Sequence, residues 1–143
     1  MRISILGLIA IALLAIVAVA TSSAQSPRSV WDGVYTVEQA KRGATFYGQE
    51  CSQCHGSDMS GSDEVPPLSG DRFMSNWNTL SVGDLLERIR ISMPAGDPSR
   101  LSPQEKADIV AFVLNANKFP AGTAELPRES QALQDIQILA TKP

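Results

Sequence analysis

Both cysteines and the single histidine of this 143-residue chain fall within five residues, Cys51-Ser52-Gln53-Cys54-His55. Thiols three positions apart stand about one helical turn from each other, so both can bond one rigid partner. The imidazole that follows is then placed to ligate a metal which that partner carries. C-x-x-C-H is the attachment pattern of c-type haem: the thiols meet the two vinyl groups on one edge of a porphyrin and the histidine lies over its iron. Three other chemistries use part of the pattern. A thioredoxin-type dithiol belongs between a strand and a helix, a setting this sequence lacks. A structural zinc site needs a fourth ligand and normally a second Cys or His pair. A simple disulfide leaves His55 and the weak core described next without a purpose.

The elements that must position these residues have little apolar material. The chain is 43% hydrophobic and 19% charged, with a net charge of −3, but 18 of its apolar residues lie in residues 1–24. The remainder is about 36% apolar, which is thin for a domain that fills its own core, and a porphyrin would supply the missing volume. Residues 1–24 carry Arg2, an uncharged apolar run, and small residues suited to cleavage (Ala18-Val19-Ala20 or Ser22-Ser23-Ala24). This reads as an export signal; because the run exceeds the usual h-region of about 7–15 residues, an uncleaved membrane anchor is the alternative. Either way the domain is expected to work outside the cytoplasm, in the periplasm. Eleven basic and fifteen acidic residues remain once Arg2 is set aside. That balance argues against a nucleic-acid partner and suits a partner with a basic docking patch, steered by salt-dependent attraction.

Residues 25–35 are expected to form a polar linker, 36–122 the main domain, and 123–143 an extension whose scattered apolar residues (Leu126, Leu133, Ile136, Ile138, Leu139) could cover an edge. Thr36-Val37-Glu38-Gln39 has capping-box spacing and should start a helix that ends near Gly48 to Cys51. Gly43 inside it is costly and is expected to let another backbone approach. Gly56 to Gly70 should be a loop, residues 71–78 a short helical turn, and Ser81 the cap of a helix with Leu85, Ile89 and Ser92 on one face. The clearest helix begins at Ser102, with Pro103 at its first position and Glu105 completing the box. Its buried stripe should be Ile109, Phe112, Val113 and Ala116, and its charged residues its solvent face. No strand-period run is present, so the fold class is all-α.

With these elements in place the sequence resembles class I c-type cytochromes over most of the exported part. Gly43 and Tyr47, eight and four residues before Cys51, match the family's first helix. Phe112-Val113, with Ile109 one turn earlier, matches the pair its last helix packs on that glycine. Pro66-Pro67-Leu68 matches the stretch whose proline carbonyl orients the proximal histidine. Met93-Pro94 matches the methionine loop before the last helix. The run Asp71-Arg72-Phe73, Trp77, Asp84-Leu85, Met93-Pro94, Leu101-Ser102, Asn117 and Phe119-Pro120 is similar to cytochrome subunits or companions of periplasmic quinoprotein dehydrogenases.

The resemblance implies a small helical domain wrapped around one covalent haem c. Cys51 and Cys54 would be attached to it, His55 and Met93 would be axial iron ligands, and Pro66, Leu68 and Trp77 would pack against it. Met59 and Met74 are rival ligands, and Arg72 and Trp77 are candidate partners for the haem propionates. With no open iron position, the implied activity is electron transfer rather than catalysis, between a dehydrogenase donor and an oxidase or cytochrome acceptor. The alternatives are a ligand-binding sensor haem protein and an electron-transfer subunit fixed in an enzyme complex.

Overall fold

The computed structural model describes residues 28–143; the expected leader over residues 1–24, its cleavage sites and the first linker residues lie outside the described residues. The fold is carried by α1 (Val37–Glu50), α2 (Ser52–His55), α3 (Gly70–Trp77), α4 (Val82–Ser92) and α5 (Pro103–Ala116). Short 3-10 turns occupy Val30–Asp32, Pro98–Arg100 and Ser130–Leu133. The all-α expectation holds with one addition, a short parallel pairing of β1 (Arg28–Ser29) with β2 (Ile136–Gln137), in which Arg28 faces Ile136 and Ser29 faces Gln137. Among the described residues no helix is long and apolar enough to cross a membrane.

The caps form where their spacing predicts. Ser81 accepts from the Asp84 N–H while Asp84 accepts from the Ser81 N–H, and Ser102 and Glu105 repeat the exchange at α5. At α1 half of the box forms: Thr36 accepts from the Gln39 N–H, but the Gln39 side chain turns inward. Its amide donates to the Leu126 carbonyl at 3.0 Å and accepts from the Leu126 N–H at 2.8 Å, closing a buried contact 87 residues apart. Two hydrogen bonds to an otherwise stranded backbone unit outweigh the single one that a cap offers.

Helices α1 and α5 cross at Gly43. A Cβ there would lie 1.8 Å from the Asp108 carbonyl oxygen, so the two backbones touch and only glycine fits. Arg42 locks the crossing, its Nε 2.8 Å from Asp108 Oδ2 and its Nη2 2.8 Å from Glu125 Oε2. These two carboxylates hold the guanidinium proton more tightly than usual, chiefly through the Asp108 hydrogen bond.

Two expectations change. From residue 28 onward the linker is folded: Val30, Val34 and Tyr35 are buried in the main core. The Tyr35 hydroxyl donates to the Phe119 carbonyl at 2.6 Å, and the Gly122 N–H donates to the Tyr35 carbonyl at 2.7 Å. The extension likewise joins the core through Leu126, Leu133, Ile136 and Ile138. It is laced to residues 78–80 by Thr79 N–H to the Ile138 carbonyl and Ile138 N–H to the Leu80 carbonyl, both 2.8 Å. Packed against α1 and α4, α5 is buried on two faces instead of one stripe. Ile109 and Val113 are buried and Phe112 and Ala116 half-buried, but Ala107, Val110, Ala111 and Leu114 are buried on the opposite face. Lys106 and Asp108, expected on the solvent face, are 3% and 2% exposed.

Gly43→Ala should destabilise the protein by about 3 kcal/mol or more, because neither backbone can withdraw. Gly48→Ala, in the same helix with open space around it, should stabilise by about 0.5–1 kcal/mol; denaturant midpoints of the two variants check the opposite signs. On α4, Glu87 bonds Arg90 and Ser130, which hold its carboxyl down to about 2 from an ordinary 4.5. A carboxyl lowered in the folded state contributes stability that is complete above the unfolded value and is lost as pH falls through the folded one. The melting-temperature difference between wild type and Glu87→Gln should therefore be constant above about pH 5 and shrink toward pH 2.

Candidate functional site

The chain passes from α1 into α2 at Cys51, which ends the first helix and begins the second. The Cys51 N–H donates to the Tyr47 carbonyl and the His55 N–H to the Cys51 carbonyl, each at 2.9 Å. This one turn sets Cys51, Cys54 and His55 on the wall of a cavity of about 540 Å³. Tyr47 fixes the turn from below: its hydroxyl donates to the Gly56 carbonyl at 2.6 Å and its ring lies 5.3 Å from that of Phe112. Burial, with Cys51 and Asp58 adding, pushes its phenol up to about 12, so it stays a donor. The two cysteines form no disulfide with each other, and Cys54 is the more exposed. Burial, with smaller contributions from Glu50 and Cys54, pushes the Cys51 thiol up to about 11.

His55 is buried, and its Nδ1 lies 2.9 Å from the Pro66 carbonyl oxygen. A carbonyl can only accept, so Nδ1 carries the proton and the Nε2 lone pair is left for the cavity. The loop that delivers this carbonyl is itself fastened. The Gly61 N–H donates to the His55 carbonyl and the Leu68 N–H to the Met59 carbonyl, both at 2.9 Å. Asn117, at the end of α5, donates to the Leu68 carbonyl at 2.9 Å and accepts from the Gly70 N–H at 3.0 Å.

The facing wall comes from α4 and the chain after it. Leu85, Ile89 and Ser92, expected on one helical face, all line the cavity, as do Met93 and Pro94. Met93 closes the C-terminus of α4, its N–H donating to the Ile89 carbonyl at 3.0 Å. Pro66, Leu68 and Trp77 complete the apolar wall with Ile109 and Val113 of α5. Trp77 is held by stacking on Phe73, ring centres 6.3 Å apart. Of the rival methionines, Met59 is buried in the core and Met74 packs against that core; neither lines the cavity.

Charge is placed differently from the sequence reading. Arg72 is exposed on α3 and absent from the wall; the cation on the wall is Arg88. Its position was readable, since residue 88 shares a helical face with Leu85, Ile89 and Ser92. Glu50, the acid on the wall, accepts from Arg100 at 3.2 Å and so ties the end of α1 to the segment after Met93. No local pattern marks that pair or the Asn117 fastening, which join residues about fifty positions apart.

Paired thiols, an imidazole with a free Nε2 and a thioether around an apolar cavity fit a covalently held haem. Among the described residues no three His, Cys, Asp or Glu side chains converge as a bare metal ion would require. Comparison with known proteins agrees. The family described as Cytochrome C oxidase, cbb3-type, subunit III matches residues 38–113, from the first turn of α1 to the cavity-facing part of α5. Among solved structures the chain is similar to the Sulfane Dehydrogenase SoxCD from Paracoccus pantotrophus, with 21% identity and a TM-score of 0.54. That likeness, which concerns the fold, covers 73% of this chain and 61% of the other, less than two thirds of it. No curated protein matches the chain.

Acidified organic solvent should leave haem on the wild-type chain and remove it completely from a Cys51→Ser/Cys54→Ser double variant. Retention by the double variant, followed by mass spectrometry, would place the covalent link elsewhere.

Proposed function

The chain belongs to the c-type cytochrome family of cbb3-type cytochrome c oxidase subunit III, and on that ground we propose that His55 and Met93 hold the haem iron from two sides in a periplasmic one-electron carrier. The supporting observation is that His55, oriented by Pro66, and Met93 line one cavity, whereas Met59 and Met74 do not. Haem c, when attached, supplies an iron that gains and loses one electron. The chain's own residues decide what that iron can do. Pro66 fixes the His55 tautomer and ring angle, so the imidazole needs no reorganisation between redox states. A thioether ligand and an apolar wall both favour the less charged ferrous state and raise the potential. With His55 and Met93 both holding the iron, water and small ligands would be excluded and electron exchange would be the remaining chemistry. Arg88, the cation on the wall, is the residue available to the haem carboxylates.

The partners in this reading are a dehydrogenase as donor and an oxidase or another cytochrome as acceptor. The similarity in fold to a chain of a sulfane dehydrogenase supports a place beside, or fixed within, such a complex. An exposed porphyrin edge would meet them through a small, short-lived contact. The apolar run of residues 1–24, read as an export leader, supports a periplasmic setting for that exchange.

Met93→Ala should lower the midpoint potential and let the reduced protein bind carbon monoxide at neutral pH, where the wild type binds none. Unchanged potential and an iron still closed to carbon monoxide would assign the sixth ligand to another residue.

A further inference from the structure

Lys106 of α5 is 3% exposed, yet it has no carboxylate partner among the described residues. Its Nζ donates instead to two backbone carbonyls, that of Arg90 at 3.1 Å and that of Pro98 at 2.6 Å. One belongs to the last turn of α4 and the other to the 3-10 turn Pro98–Arg100, so the two carbonyls flank Met93. A buried ammonium without a counter-ion is costly. Burial lowers its hold on the proton, Arg90 beside it acts in the same direction, and Asp97 opposes both. A residue needed only for packing would be apolar at this place in α5, where Ala107, Val110 and Ala111 are its buried neighbours.

The intervening segment has few other ties. Met93 bonds back to Ile89, Asp97 to Pro94 and Arg100 to Asp97, all within α4 or the segment itself. The exposed Glu50–Arg100 pair reaches α1. Lys106 is what fastens both ends of the segment to α5, the helix that also presents Ile109 and Val113 to the cavity.

We propose that Lys106 is a positioning residue for Met93: by bridging the Arg90 and Pro98 carbonyls it holds the Met93 segment shut over the cavity and so keeps the sulfur on the iron. The inference rests on Met93 being the sixth ligand. When the bridge is absent the segment is free to swing from α5, and the iron becomes open part of the time to small ligands.

The test is carbon monoxide binding to reduced holoprotein at neutral pH in wild type, Lys106→Met, Val110→Ala and Met93→Ala. Lys106→Met keeps the stem and removes the donor; Val110→Ala weakens the same helix away from the cavity wall. Loss of two charge-assisted hydrogen bonds should speed carbon monoxide uptake about tenfold or more in Lys106→Met, with no such change in Val110→Ala at a comparable fall in Tm. A Lys106→Met protein as closed as the wild type, or one no more open than Val110→Ala, would overturn the clamp while leaving Met93 ligation standing. A wild type as open as Met93→Ala would overturn both. If Lys106→Met fails to mature, Lys106→Gln, which is shorter and uncharged, is read against the same controls.

Discussion

The backbone contact between α1 and α5 at Gly43 and Asp108 governs the rest of the molecule. With the helices this close, a shift of either would drive main-chain atoms into one another, so their crossing has one solution. That solution fixes the end of α1, and with it the turn that carries Cys51, Cys54 and His55. It also fixes which residues α5 shows to the cavity. Arg42 reinforces the contact by reaching across it to Asp108 and onward to Glu125, which draws in the start of the C-terminal extension.

Around that frame the cavity is built from segments with little periodic structure, each fastened by hydrogen bonds from an ordered neighbour. Pro66 reaches His55 because Gly61 and Leu68 bond back toward the haem-attachment turn and because Asn117 grips the loop's far end. Met93 reaches the facing wall because α4 ends there, Lys106 holds from beneath and Arg100 holds from the side. Loops held in this way can present ligands without the stiffness of a helix at every residue. A thin protein core suffices because the cofactor fills what the side chains do not.

Local signals made much of this legible in the sequence. Ser81 and Ser102 cap their helices because the partners they need stand three residues away, and C-x-x-C-H is contained in a single turn. Gly43 is readable because a glycine in mid-helix has a cost that something must offset. What could not be read depends on partners remote in the chain. Gln39 leaves its cap for Leu126, and Val30, Val34 and Tyr35 stand in a short run with neither helical nor strand periodicity, so nothing local marks it as core until the extension pairs with it. Lys106 and Asp108 look like solvent-facing charges because nothing in α5 reveals the two carbonyls or the arginine that meet them. Arg88 is the exception, since it stands on the helical face of Leu85, Ile89 and Ser92, whereas nothing local in α3 shows that Arg72 turns away from the cavity.

In the proposed carrier this cavity holds a covalent haem whose iron is closed by His55 on one side and Met93 on the other. The most direct measurement is the absorption spectrum of oxidised wild-type holoprotein, matured with residues 25–143, in the long-wavelength region where methionine sulfur gives ferric iron a weak band. That band is expected in the wild type at neutral pH and is expected to be missing from Met93→Ala. Covalent haem that lacks the band in the wild type, or keeps it in the variant, would remove Met93 from the iron.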